Sequence, residues 1–283
     1  MPKLQDLPFL MQLLDDEDPD VRQQVRQQLG AWGGNLETVT APYWDQLSDP
    51  QMEVLRGVSE QIRHSNFHTF WEEWLEDLAH PRGLYLACEA LADRMTDFGK
   101  PPFRLLMEDM VVLFKTAYPQ PTFEDLMKFL FVQQGFHAPK GPFHQLDNSL
   151  LGQVILRKEG TQISLCAIAM ILAQEVGLEL HGVNIPGHFM MAHASEDGWV
   201  IRDPFRSGHP LPESLETYLI RRLEQSGLDW PDIFSPAANM VSRMLRNLAH
   251  AADKSQDKEH KALFDQWLLD LQGAMEIEPD ELS

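Results

Sequence analysis

The sequence predicts a helix-rich α+β protein in which helices flank a small antiparallel sheet. Three observations lead to this fold class. Apolar residues recur at helical spacing through most of the stretch 1–134 and again after Pro210. The segment 163–176 is apolar on nearly every face, which is typical of a helix buried at the centre of a domain. Three short runs that follow this segment have the length and pattern of strands.

The first predicted segment, 1–80, consists of short helices. Two Asp-Pro pairs, beginning at Asp18 and Asp49, each place a capping carboxylate before a proline whose missing N–H costs nothing there. The two pairs are about 30 residues apart, a spacing that suggests paired helices of a solenoid. The stretch 7–30 resembles a HEAT repeat. An ordinary helical bundle is the alternative, and it stays open because sequence patterns do not determine packing.

The middle segment, 81–210, begins with helices and then changes character. Thr122 and Asp125 make a variant of the capping box at one helix start, and Gly135 is predicted to end that helix. After a loop-rich stretch and the buried helix, strands are predicted over 179–185, 188–194 and 198–203.

The last segment, 211–283, is predicted to be helical, with an antiparallel helix pair over 241–252 and 260–275. Its acidic end, from residue 276, is expected to fray. We also expect an aromatic stripe in the first segment to pack in the core or between segments; it consists of Phe67, Phe70, Trp71 and Trp74.

Composition and charge restrict the possible partners. The chain has 283 residues, of which 43 are acidic and 23 basic, so its formal net charge is −20. This charge repels phosphates and anionic lipids, so we predict neither a nucleic-acid partner nor a membrane partner. Two cysteines are too few for a disulfide framework, and an acidic run after Leu14 argues against a signal peptide. We therefore predict a cytoplasmic protein.

The predicted hairpin brings together two residues that could share a proton. Its turn, 195–198, places Asp203 opposite Met190, and His188 shares a face with Met190. His188 and Asp203 then become diagonal neighbours within reach of a carboxylate–imidazole hydrogen bond. Such a bond orients an imidazole that acts as a base in a nucleophilic triad, although a purely structural hydrogen bond is the alternative.

The buried helix offers two candidate nucleophiles, each with a structural alternative. Cys166 lies one turn inside the helix, where a buried thiol keeps a high pKa and is inert. Ser164 lies nearer the helix start, where N–H groups stabilise an anion but where serine is also a common capping residue. His181, His188, His193 and His209 do not predict a metal site, because His188 and His193 fall on opposite faces. We predict no cofactor, since no glycine-rich phosphate loop is present.

Four motifs carry a resemblance to a known family. They are N-S-L-L at 148–151, G-T-Q-I-S-L at 160–165, G-V-N-I-P-G-H-F at 182–189 and D-P-F at 203–205. The stretch 84–280 resembles the SirB-type transglutaminase-like family of bacteria, and 242–248 is similar to the tetratricopeptide-like tail of that family. The resemblance implies a transglutaminase-like, papain-like core, with His188 and Asp203 at the histidine and aspartate positions of the catalytic triad.

The resemblance places the nucleophile of active members at the helix start, near 162–164, where this chain has no cysteine. Cys166 lies about 200° around the helix from Ser164 and should point elsewhere. We therefore predict a non-catalytic or degenerate member that acts as a protein-binding scaffold. The alternative is a triad-dependent amide hydrolase or acyl transferase that uses Ser164 or Cys166 with His188 and Asp203. Helical repeats favour a protein or peptide partner, and the oligomeric state stays open.

Overall fold

The structure is a computed structural model that describes residues 3–185 and 187–276. It confirms a helix-rich α+β fold with a small antiparallel sheet. Two predicted features lie outside the described residues, namely the acidic tail beyond residue 276 and Pro186 of the G-V-N-I-P-G-H-F motif. Within the described parts of the chain, no helix is both long and apolar enough to cross a membrane.

Helices form most of the described part of segment 1–80. They are α1 Leu7–Gln12, α2 Pro19–Gly30, α3 Leu36–Thr40 and α4 Asp49–Glu76. Helices start at both predicted positions. The Asp18 carboxylate caps α2 by accepting from the N–H of Asp20. The cap of α4 is Ser48, which forms a capping box with Gln51, so the predicted cap at Asp49 was one residue late.

The next helices surround α9, which lies at the centre. They are α5 Gly83–Arg94, α6 Phe103–Ala117, α7 Phe123–Met127, α8 Leu151–Arg157 and α9 Gln162–Glu175. The capping box of Thr122 and Asp125 is confirmed at the start of α7. A π-helical turn, Lys128–Gln133, continues α7, and Gly135 follows with a φ of 73° that a side chain would disfavour. Burial of α9 on nearly every side confirms the predicted central helix.

Five strands form the sheet, in the spatial order β4-β3-β2-β1-β5. They are β1 His181–Ile185, β2 His188–Ser195, β3 Gly198–Asp203, β4 His209–Pro210 and β5 Phe234–Ser235. The predicted hairpin register is confirmed, because Met191 pairs with Arg202 and Ser195 with Gly198. The first strand begins at His181, later than predicted. The sequence did not predict β4 and β5, since two residues carry no recognisable alternation.

The two faces of the sheet pack against different groups of apolar residues. Phe189 and Met191 of β2 belong to the large core around α9. Met190 and Ala192, which alternate with them, pack on the other side in a cluster that includes Trp230. Burial on both faces fixes the register of β2, because a one-residue slip would exchange the two sets.

The remaining helices are α10 Glu213–Gln225, α11 Ala237–Lys254 and α12 Lys258–Glu276. The last two are the predicted helix pair, each somewhat longer than predicted. Strand β5 lies between α10 and α11 and pairs with β1, so part of the last segment completes the sheet. The division at residues 80 and 210, the HEAT-like character of 1–80 and the tetratricopeptide-like character of 211–283 stay predictions.

The aromatic stripe on α4 links the two ends of the chain. Phe67, Trp71 and Trp74 are buried, and the Phe67 ring lies 4.2 Å from that of Trp267 on α12. Packing between segments is therefore confirmed for these residues. Phe70 differs from the prediction, because its side chain is 43% exposed.

Candidate functional site

The site is built around the N-terminus of α9. Thr161 caps the helix, because its hydroxyl accepts from the backbone N–H of Ser164. Gln162 is the first helical residue, and its side chain is partly exposed. The free N–H groups of this first turn give the region a partial positive charge.

Ser164 points into the protein, away from any base. Its side chain is fully buried, and its Oγ donates to the carbonyl of Asn148 at 3.0 Å. The same Oγ lies 2.7 Å from Thr161 Oγ1. A hydroxyl has one proton, so Thr161 is the donor in that second contact. The hydroxyl of Ser164 therefore ties the start of α9 to the loop before α8.

Cys166 is also fully buried, and its Sγ lies 3.7 Å from the carbonyl oxygen of Phe189. Burial raises the pKa of the Cys166 thiol well above its ordinary value. The negative charge of Asp203 raises this pKa further, whereas the positive charge of Arg243 opposes the rise. The thiol therefore stays protonated near neutral pH, and a protonated thiol is a poor nucleophile.

The side chain that faces His188 is Gln162. The Gln162 Nε2 atom lies 3.2 Å from Nδ1 of the exposed imidazole of His188. In a triad, Nδ1 donates to the orienting carboxylate. Here the amide occupies that nitrogen, whichever way the amide group is turned.

Asp203 is buried and caps a different element. Its Oδ1 accepts from the N–H of Phe205 at 2.9 Å, which holds the turn Pro204–Arg206. Among the residues that the structure describes, no hydrogen bond or ion pair joins Asp203 to His188. The predicted bond between them is therefore absent, although the register from which we predicted it is confirmed.

A patch of four polar side chains surrounds this helix start; it comprises Gln162, Asn184, His188 and Arg243, and we call it the α9 patch. An Nη of Arg243 donates to Asn184 Oδ1 at 2.6 Å and to the carbonyl of His188 at 3.3 Å. The guanidinium also lies over the Phe189 ring, 5.4 Å from its centroid. The sequence offered no signal for Arg243, because it comes from α11, 59 residues after Asn184.

The predicted site residues therefore divide into two groups. His188 lies at the exposed patch, whereas Ser164, Cys166 and Asp203 are buried and hold other elements together. Gln162 was named in the sequence only as part of the range in which a nucleophile was expected. In the described parts of the chain, no group of three or more His, Cys, Asp or Glu side chains is arranged to hold a metal ion.

A second polar group lies in the interior, next to the sheet. Arg202 is 2% exposed, and its Nε donates to Nε2 of His193 at 3.0 Å. The other ring nitrogen of His193 lies 3.0 Å from the carbonyl oxygen of Ala194 and donates to it. Arg202 also pairs with Glu124 beside α7. Burial lowers the pKa of His193, and the charge of Arg202 lowers it further.

This histidine should make the fold sensitive to acid. The pKa of His193 is lower in the folded state than its ordinary 6.5, so the unfolded chain binds more protons below that pH. We expect stability to be retained above pH 6.5 and to fall as the pH drops from 6.5 towards the lowered value. Urea unfolding across this range should show a smaller decline in His193→Gln, and no change of slope in the exposed His68→Gln. An equal decline in all three proteins would contradict the assignment.

Comparison with known proteins gives one family match. A family profile described as the transglutaminase-like superfamily matches residues 101–248, which is just over half of the chain. This stretch contains Gln162, Ser164, His188 and Arg243, so the α9 patch lies inside it. No solved structure matches the chain.

Several curated proteins are similar over the same part of the chain. A UPF0162 protein of Xylella fastidiosa (strain Temecula1) is 33% identical over 143 residues, 48% of this chain and 50% of the relative. The UPF0162 protein YchA of Escherichia coli (strain K12) is 31% identical over 140 residues, 47% of this chain and 50% of the relative. A UPF0162 protein of Vibrio cholerae is 23% identical over 118 residues, 41% of this chain and 44% of the relative. The chain spans about half the length of the curated relatives it matches.

Proposed function

Because the chain belongs to the transglutaminase-like superfamily, we propose that it is a non-catalytic member that binds a protein or peptide at the α9 patch. The observation that carries this proposal is the contact between His188 and the amide of Gln162. The base position is retained in this contact, but the side chain facing it is one that a base does not turn into a nucleophile.

The chemistry of the two sides of the contact supports the proposal. Catalysis by a triad needs a hydroxyl or thiol within hydrogen-bond reach of the imidazole. A carboxamide nitrogen shares its electron pair with the carbonyl and does not attack an acyl group. The hydroxyl of Ser164 is engaged by Asn148, and Cys166 is buried with a raised pKa.

The same patch is suited to recognition. Arg243 and Gln162 offer N–H donors beside the positive end of α9, in a chain whose net charge is −20. Carboxylates and backbone carbonyls of a partner are the acceptors that such donors bind. We propose that the partner presents an extended or terminal segment carrying these acceptors, because the patch lies at one exposed end of β2.

The finer assignments belong to the same proposal. We propose a SirB-type member with helical-repeat character at both ends, on the strength of the sequence motifs at 148–151 and 182–189. We also propose a cytoplasmic location. It is supported by Cys88 and Cys166, which are both free and buried and so need no oxidising compartment.

The catalytic alternative is tested by chemical labelling of the wild-type protein. We expect neither iodoacetamide nor a fluorophosphonate probe to label Cys166 or Ser164 faster than it labels the His188→Ala variant, because neither atom is accessible to probe or base. Peptide mapping by mass spectrometry measures the label at each residue. Labelling of either residue that depends on His188 would support the hydrolase or acyl transferase and overturn the proposal.

Binding is tested with affinity capture from the lysate of the source organism at moderate salt. We expect wild type to retain one or more specific proteins that the double variant His188→Ala/Arg243→Ala loses. Glu73→Gln, an exposed change on α4, is the matched control and should retain them. Capture of the same proteins by all three baits, or of none by wild type, would contradict binding at the α9 patch.

A further inference from the structure

A cavity lies where segment 1–80 meets α5 and α6, away from the α9 patch. Its volume is about 360 Å³, which suits a small organic molecule. Trp44, Ile62, Phe67 and Leu105 contribute apolar wall, and the exposed ring of Phe70 belongs to the same lining. No motif in the sequence pointed to this region.

One pair of charges in the cavity is already neutralised. Glu37 pairs with Arg63 and also accepts from the hydroxyl of Ser59. The second oxygen of Glu37 accepts from the N–H of Gly99 at 2.6 Å. Both oxygens of Glu37 are therefore engaged, and we assign this group to the structure of the cavity wall.

Two further carboxylates come from α5, and they differ in their partners. Asp93 Oδ1 accepts from the N–H of Phe103 at 2.7 Å, so Asp93 fixes the start of α6. Within the described part of the chain, Glu89 makes neither a hydrogen bond nor an ion pair. Burial raises the pKa of Glu89 to about 7, and the charge of Asp93 adds to the rise. An unpaired and partly buried carboxylate thus lines the cavity.

We propose that this cavity binds a small organic cation, an ammonium or guanidinium group on an apolar body, whose charge pairs with Glu89. Charge complementarity favours this class of ligand, because a cation supplies the partner that the protein does not. The rings of Phe67 and Phe70 would contact the apolar body and attract the cation through their faces. An anionic ligand would lie against both Glu89 and Asp93. This site is independent of peptide binding at the α9 patch.

Calorimetric titration with three matched probes tests the ligand class. The probes are phenethylammonium, the neutral 2-phenylethanol and the anionic phenylacetate, which share a ring and a two-atom or shorter linker. At about pH 8, where Glu89 is ionised, we expect the ammonium to bind at least about tenfold more tightly than either analogue. Equal binding of all three probes, or no binding of the ammonium at millimolar concentration, would overturn the proposal.

A pair of variants tests the role of Glu89. We expect Glu89→Gln to weaken ammonium binding at least about tenfold, and Glu73→Gln on α4 to leave it unchanged. Glu89→Gln removes an unfavourable buried charge, so we expect it to fold, and its circular dichroism and thermal unfolding verify this. Unchanged ammonium binding by folded Glu89→Gln would show that Glu89 is not the recognising group and would overturn the proposal.

The pH dependence gives a further readout that a purely structural carboxylate would not move. The charged groups that act on Glu89 are Asp93, Arg82, Arg104 and Glu108. We expect ammonium affinity to fall as the pH drops from about 8 to about 6, because Glu89 takes up a proton near pH 7. In Glu89→Gln the residual affinity should not change over this range. A flat profile in wild type would contradict pairing with Glu89.

Discussion

Replacing Gln162 with cysteine is expected to create a reactive thiol where wild type has none. At pH 7 we expect iodoacetamide to alkylate this thiol on the order of ten times faster than a thiol of ordinary pKa. The reason is its position beside His188 and at the N-terminus of α9, since an imidazolium and a helix N-terminus both favour the thiolate. Mass spectrometry measures the rate, with little background because Cys88 and Cys166 are buried with raised pKa values.

Two controls separate the contributions to this effect. The double variant Gln162→Cys/His188→Ala keeps the helix N-terminus and should lose most of the acceleration. Gln174→Cys places an exposed thiol near the C-terminal end of the same helix, where the partial negative charge disfavours a thiolate. Equal rates at positions 162 and 174, or a rate at 162 that does not depend on His188, would contradict the geometry of the α9 patch.

The features that the sequence predicted well depend on neighbouring residues along the chain. The cap at Asp18, the capping box at Thr122 and the hairpin over 188–203 each involve contacts within a few residues or one turn. Polar residues and glycine at such positions have few alternative roles. Strand β5 was not predicted, because its pairing partner β1 is distant in the chain and two residues leave no pattern.

The candidate site was predicted at the level of the backbone but not of the side chains. The register correctly placed Asp203 near β2, but register does not say which partner a carboxylate takes. Asp203 accepts from Phe205, two residues ahead, and local contacts of this kind compete well with distant ones. Ser164 and Gln162 lie two positions apart, about 200° around the helix, so one is buried and the other faces His188.

Contacts between distant segments were beyond the reach of sequence patterns. Arg243 comes to the α9 patch from α11, and the Glu37–Arg63 pair forms within the helices of segment 1–80. Nothing in the spacing of these residues distinguishes them from solvated surface charges. Their partners become apparent only when the helices are packed, which is why the cavity beside Glu89 could not be predicted.

The loop that follows Asp203 should tolerate substitution poorly, and Gly208→Ala tests this. Gly208 has a φ of 68°, which a side chain adopts at a cost of about 1 kcal/mol. An added Cβ would lie 2.6 Å from Met127 Sδ and 2.7 Å from the Phe131 ring, so these residues must also shift. Overpacking of this kind costs about 1 to 3 kcal/mol. We therefore expect urea unfolding to show a total loss of about 3 kcal/mol.

Gly227→Ala is the control that separates backbone strain from crowding. Gly227 has the same φ of 68°, but nothing lies within 4 Å of the position that its Cβ would occupy. Strain alone should therefore cost about 1 kcal/mol there, and the difference between the two variants measures the packing of the loop on α7 and the turn after it. This packing matters for the site, because the carbonyl of Gly208 accepts from buried Arg202 and its N–H donates to the carbonyl of Asp203. If the two variants lose equal stability, the loop is not packed as described, and the position of Asp203 beside Cys166 loses its support.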